Sequence, residues 1–302
     1  MKLQQLRTFV AVAEHRSIRA AARALFVSQP AVTRTIRELE RDLDVSLLRR
    51  SVSGVELTDA GLAFSVRANL LLEEMRRARE ELLFMKAGGH GHVAAAVTST
   101  VGLTLLPDAL AAFRQRLPQA RLSLTEDGGA TALQKLQNGT LDFVIANTVP
   151  DSLPSEFDQQ PLFLMQLMVG ARNDHPCAAA ESIQELQDQY WVVPSLNMEF
   201  VSRLFVSRGL SEPSQVLSCE SFGIATHLVA SMDLIGLFSA ALFDKVLVPL
   251  GVRALALRET LPPIEVSILT LRGSRLTPTA QCFVECLQAV PLPDGMLASG
   301  RE

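Results

Sequence analysis

Val27-Ser28-Gln29-Pro30-Ala31-Val32-Thr33-Arg34-Thr35-Ile36-Arg37-Glu38-Leu39 lies inside the longer stretch 17–59. It predicts a short helix, a tight turn and a second helix whose polar side chains face away from its apolar anchors. That is the layout of a helix-turn-helix, whose second helix enters the DNA major groove. Ser17 is placed to cap a helix to about residue 25, built on Ala20, Ala21, Ala22 and Ala24, small residues that favour helix and permit a close crossing. Ser28 is the next cap, and Pro30 falls in the first turn, where its missing N–H breaks no helical bond. Val32, Ile36, Leu39 and Leu43 recur at helical spacing as the buried stripe.

The other faces of the second helix carry the chemistry. Gln suits adenine, Arg suits guanine and the Thr methyl suits a thymine methyl. Gln29, Pro30, Thr33 and Arg34 are therefore the expected base readers, with Ser28 at the helix mouth and Arg37 either reading or steadying the backbone. Arg19 and Arg23, one turn apart on the first helix, and Arg49 and Arg50 beyond the second are placed for phosphates. The competing description is an ordinary helical hairpin with a solvated basic face.

The segment resembles the N-terminal domain of the LysR-type transcriptional regulators. The matching residues are Leu6, Phe9, Ser17, Ala21-Ala22, Leu25, Val27-Ser28-Gln29-Pro30-Ala31, Ile36, Leu39-Glu40, Leu43, Leu47-Leu48-Arg49-Arg50 and Leu57-Thr58-Asp59-Ala60-Gly61. The resemblance implies an α/β multidomain chain: a winged helix-turn-helix over 1–58, a linker helix and hinge over 59–91, and a two-lobed α/β effector domain, periplasmic-binding-protein-like, over 92–302. It further implies double-stranded DNA and a small organic effector as partners, RNA polymerase contact, and assembly into dimers and tetramers. It implies no cofactor.

Composition agrees with such a division of labour. The 302 residues are 48% hydrophobic and 20% charged, which is globular and long enough for two or three domains. Net charge is −4. Yet residues 1–50 carry ten Lys/Arg against five Asp/Glu, and residues 87–302 carry thirteen against twenty-one. A basic head on an acidic body confines DNA affinity to the head. No apolar run approaches the ~18 residues of a membrane span. The start, 1–16, is broken by Glu14, His15 and Arg16, unlike an export signal, so a cytoplasmic location is expected. The cysteines Cys177, Cys219, Cys282 and Cys286 read as reduced thiols, with Cys282 and Cys286 packing a helix rather than holding a metal.

From Thr58 a long helix to about residue 86 is predicted. Phe64, Ala68, Leu71, Met75, Ala78, Leu82 and Met85 alternate at steps of four and three, the seam of a helix that pairs with another. Gly88-Gly89-His90-Gly91 ends it as a hinge.

Beyond residue 92, short apolar strands at 93–97, 121–124, 142–146, 166–170, 191–193, 215–219, 234–237 and 264–271 alternate with helices at 103–116, 130–138, 200–207 and 221–230. Lobe one is expected over about 92–160 and 267–290, and lobe two over 161–266. A cleft ligand in such a fold meets loops at the carboxyl ends of strands. Candidates there are Thr98, Ser99 and Thr100, then Asn147 and Thr148, and across the hinge Asn197, Phe200 and Phe222, with Ser239 beside them. Hydroxyls without clustered Arg or Lys, together with several Phe residues, point to a small organic monoanion, an aromatic or other organic acid. Two other classes fit the sequence less well. A two-lobed α/β enzyme lacks a Gly-rich phosphate loop, a nucleophile elbow and a paired nucleophile pattern. A solute-binding protein acting on a small organic anion would need an export signal.

Overall fold

The computed structural model describes residues 1–51, 54–87, 91–148, 153–194 and 198–299. The first unit consists of α1 (Leu3–His15), α2 (Ile18–Ala24), α3 (Gln29–Leu43) and an antiparallel ribbon of β1 (Leu48–Ser51) and β2 (Gly54–Leu57). Both expected caps are made: Ser17 Oγ accepts the Ala20 N–H at 3.3 Å, and Ser28 Oγ accepts the Ala31 N–H at 3.4 Å. Neither helix ends on glycine. Phe26 (φ 56°) and Asp44 (φ 52°) take the left-handed position instead. Around each, paired bonds close a Schellman motif: Val27 N–H to Ala22 O with Phe26 N–H to Arg23 O, and Val45 N–H to Glu40 O with Asp44 N–H to Arg41 O. The core of this unit is Phe9, Val12, Ala21, Val32, Ile36 and Leu39.

α4 (Asp59–Ala87) leaves this core as one continuous helix. Thr58 Oγ1 accepts the Gly61 N–H at 3.0 Å and donates to Ser46 O at 2.7 Å, fixing the angle of departure. Phe64 packs edge-on against Phe9, and Ala68 is buried. Further along, Leu71 (47% exposed), Met75 (53%) and Leu82 (67%) form an open apolar stripe. Of the expected hinge, Gly88, Gly89 and His90 lie outside the described residues.

The remainder contains β3 (His92–Val97), α5 (Ser99–Thr104), α6 (Leu106–Arg116), β4 (Arg121–Glu126), α7 (Ala130–Gln137), β5 (Phe143–Thr148), β6 (Phe157–Met165), β7 (Leu167–Arg172), β8 (Tyr190–Val193), α8 (Met198–Val206), β9 (Gln215–Ser218), α9 (Phe222–Ser231), β10 (Ile235–Ser239), β11 (Val252–Ala254), β12 (Ile264–Leu271), α10 (Pro278–Gln288) and β13 (Met296–Ala298). They form two sheets, of order β13-β6-β12-β5-β3-β4 and β11-β7-β10-β8-β9. The chain crosses between them twice, after β6 and again before β12. Gln166 ties the crossings together, its Nε2 donating to Leu261 O at 2.9 Å.

Beyond residue 92, three strands have no counterpart in the sequence pattern: β6, β11 and β13. β6 begins with the polar run Asp158-Gln159-Gln160 and contains Pro161, both of which argue against a strand. Its register against β12 shifts here: Val266 faces Phe163, and Ser267 faces Pro161. The proline therefore sits at a bulge, where its lost N–H costs no ladder bond. Pro161 to Met165 continue this strand within the six-stranded sheet.

Candidate functional site

Two surfaces concentrate the candidate residues. On the first unit, burying Val32, Ile36 and Leu39 turns the opposite face of α3 outward. Gln29, Pro30, Thr33, Arg34 and Arg37 then line one shallow open depression with Glu38 and Arg41. Gln29, Pro30, Arg34 and Arg37 are exposed and Thr33 is half-buried. Among the described residues, no ion pair engages Arg34 or Arg37, so both guanidiniums stand ready for an outside acceptor. Ser28 accepts one hydrogen bond for the cap and keeps its hydroxyl proton. Arg19 and Arg23 are exposed on α2. Arg49 is 69% exposed and bonds Glu56 across the ribbon at 3.0 Å, a contact that a phosphate would have to displace. Arg50 lies in the same strand, and its side chain lies outside the described residues. Arg41 was not anticipated, although its spacing of four from Arg37 places it on the same helical face.

The second surface is a cleft of about 600 Å³ between the two sheets, well within the size of small-molecule sites. Thr98, Ser99, Thr100 and Asn147 enter from the six-stranded side, and Phe222, Phe238 and Ser239 from the other. Phe222 and Phe238 meet edge-on at 6.2 Å and give the cleft an apolar wall. Among the described residues, three polar atoms here are buried and without a partner: Thr98 Oγ1, Asn147 Oδ1 and Ser239 Oγ. An orphaned polar atom costs about 1–3 kcal/mol, which a ligand can recover. Ser99 Oγ donates to Glu126 Oε1 at 2.5 Å.

Other expected cleft residues are placed differently. Thr148 follows Asn147 on β5 and so points to the opposite face. There its hydroxyl joins a polar knot with Ser267 Oγ (3.0 Å) and Gln159 Nε2 (3.0 Å), and Gln159 Nε2 also donates to Glu265 at 2.7 Å. Phe200 packs on the main core from α8 and does not border the cleft. Asn197 lies outside the described residues. The pattern reading missed Glu126, Asp127 and Glu220, which border the cleft. Their signal was available: Glu126-Asp127-Gly128-Gly129 ends a strand in a turn, the place where α/β folds present ligand contacts. All four cysteines are free thiols; Cys286 is buried, and Cys219 borders the cleft.

Residues 86–291 match the family model described as the LysR substrate binding domain, and residues 3–62 match that of the bacterial regulatory helix-turn-helix protein, lysR family. The HTH-type transcriptional regulator TdcA of Escherichia coli (strain K12) is 26% identical over 290 residues, covering 94% of this chain and 91% of that protein. Among solved structures, a full-length OxyR variant from Pseudomonas aeruginosa aligns with a TM-score of 0.72 at 22% identity, over 100% of this chain and 99% of that one. Full-length CbnR in complex with its target DNA aligns at 0.69 with 24% identity, over 95% and 99%. At these identities the two structures speak for the fold alone. No helix among the described residues is long and apolar enough to cross a membrane.

Proposed function

Because the chain belongs to the LysR family of transcriptional regulators, we propose that it reads DNA with α3 and is switched by a small organic acid held between its two lobes. Its relatives are regulators, not enzymes. The observation that carries the DNA reading is the outward face of α3, where Gln29, Thr33, Arg34 and Arg37 share one depression and both arginines lack an ion pair among the described residues. In this reading Gln29, Pro30, Thr33 and Arg34 contact base edges, while Ser28, Arg19, Arg23, Arg49 and Arg50 hold the backbone.

The open stripe Leu71, Met75 and Leu82 on α4 supports pairing with a second copy. A two-fold dimer would place half-sites about 10 bp apart on one face of the duplex. Two such dimers and contact with RNA polymerase complete the proposed assembly. For the effector, support comes from the three orphaned atoms beside an apolar wall: hydroxyls of Thr98 and Ser239 can donate to an acid group while Phe222 and Phe238 cover its body.

Mobility-shift titrations test the DNA reading. Arg34→Ala should cost about 1–3 kcal/mol on the preferred operator and flatten the preference among sequences. Uniform weakening on every sequence would make Arg34 a phosphate contact instead.

A further inference from the structure

We propose that the effector carries a cationic nitrogen besides its acid group, as a free amino acid does; this rests on the reading of the cleft as the effector site. The cleft is acidic on both sides. Glu126 and Asp127 stand at the carboxyl end of β4, and Glu220 follows β9 on the opposite lobe. Among the described residues, no Lys, Arg or His lines it. The hydrogen bonds from Ser99 Oγ to Glu126 and from the Gly129 N–H to Asp127 Oδ1 (3.0 Å) orient two of these carboxylates without bringing a cation to them.

The orphaned atoms make the same demand independently. Asn147 Oδ1 only accepts, so it calls for an N–H or O–H from the ligand. An ionised acid group offers none, whereas an ammonium offers three. Ser239 is 3% exposed, lines the cleft, and among the described residues has no partner for its Oγ. Its proton and that of Thr98 suit the acid end.

Charge decides between a plain anion and a zwitterion. A plain anion entering between carboxylates from two lobes meets repulsion that strengthens as water leaves. An ammonium there turns that penalty into charge-assisted hydrogen bonds.

Calorimetric titration of the full-length protein tests this with the standard α-amino acids, each paired with the acid that lacks only the amino group. At least one amino acid should bind, and its deaminated partner should bind at least about tenfold more weakly, the weight of one charge-assisted hydrogen bond. Glu220→Gln and Glu126→Gln should each weaken that binding by a similar factor, with thermal unfolding confirming that each variant folds. Binding by the deaminated acids alone, or silence from every amino acid, overturns the proposal; the former leaves the cleft reading standing. Binding that survives both Gln variants and Ser239→Leu places the ligand elsewhere and overturns both readings.

Discussion

Phe26 is 96% exposed and held at φ 56°, a position where a side chain costs about 1–2 kcal/mol. Among the described residues nothing is packed against it, so Phe26→Gly removes the strain and loses no contact there. Glycine's greater freedom in the unfolded chain offsets part of the gain. The variant should be more stable by about 0.5 kcal/mol in urea titration; a loss of stability would show that the ring does something in the native state. The turn was legible from its neighbours, but its conformation was not, because sequence signals for a left-handed residue are Gly and Asn. Thr148 is the opposite case: strand alternation, already in the pattern, separates it from Asn147. His175 carries a pH prediction. It is buried and its Nδ1 accepts the Cys177 N–H at 3.0 Å. Burial pushes its imidazole below the usual histidine value, and Arg172 adds to this, against the opposing pull of Asp233. The unfolded chain therefore binds a proton that the native state resists. The stability this confers is complete above about pH 6.5 and is lost as pH falls through the native value. His175→Asn keeps an acceptor for the same N–H and removes the titration. The midpoint of thermal unfolding should drop between pH 7 and 5 by less in the variant than in the wild type; equal slopes would refute the assignment.

At the scale of elements, α4 is decided by its first turn. A Cβ on Gly61 would lie 2.0 Å from Leu47 O. Helix propensity alone favours Gly61→Ala by about 1 kcal/mol. The clash is with backbone that Glu40 also holds, since its Oε1 accepts the Leu47 and Leu48 N–H groups at 2.8 and 3.1 Å. Overpacking against a fixed backbone costs about 1–3 kcal/mol and wins. The substitution should lower the unfolding midpoint of the DNA-reading unit and weaken DNA retardation; an unchanged midpoint would mean that α4 can tilt away freely. The helix itself was legible from its heptad pattern, but the division of that pattern was not: all of it reads as one pairing seam. Phe64 and Ala68 serve their own core, while Leu71, Met75 and Leu82 stay open. β6 was not legible, because a proline and three polar residues hide a strand whose bulge only the partner strand reveals.

Across the whole molecule, the other face of α4 meets the six-stranded lobe through charges. Arg77 donates to Ser274 Oγ at 2.6 Å, and its guanidinium lies 3.4 Å from Asp142; Arg76, paired with Glu73, lies 3.7 Å from the same carboxylate. Gly139, at φ 80°, lets the chain come close, since a Cβ there would meet Glu73 at 2.9 Å. Asp142 is fully buried, and its other oxygen accepts the Ala94 N–H at 2.8 Å. Burial raises its carboxyl above the usual range and outweighs the two arginines, which pull it down. The ionised form is thus expensive, and a raised carboxylate makes no contribution to stability at neutral pH. What the contact does is join the helix carrying the DNA-reading unit to the lobe carrying Thr98 and Asn147; Asp142 immediately precedes β5, the strand that bears Asn147. Asp142→Asn keeps an acceptor for Ala94 and removes the charge. The variant should unfold at the same temperature or slightly higher, while amides of residues 73–80 exchange with solvent faster and DNA affinity becomes less responsive to ligand. If exchange along that stretch is unaltered, Arg77 holds the helix through Ser274 Oγ and Leu141 O alone, and the buried carboxylate has no part in linking sensor to reader.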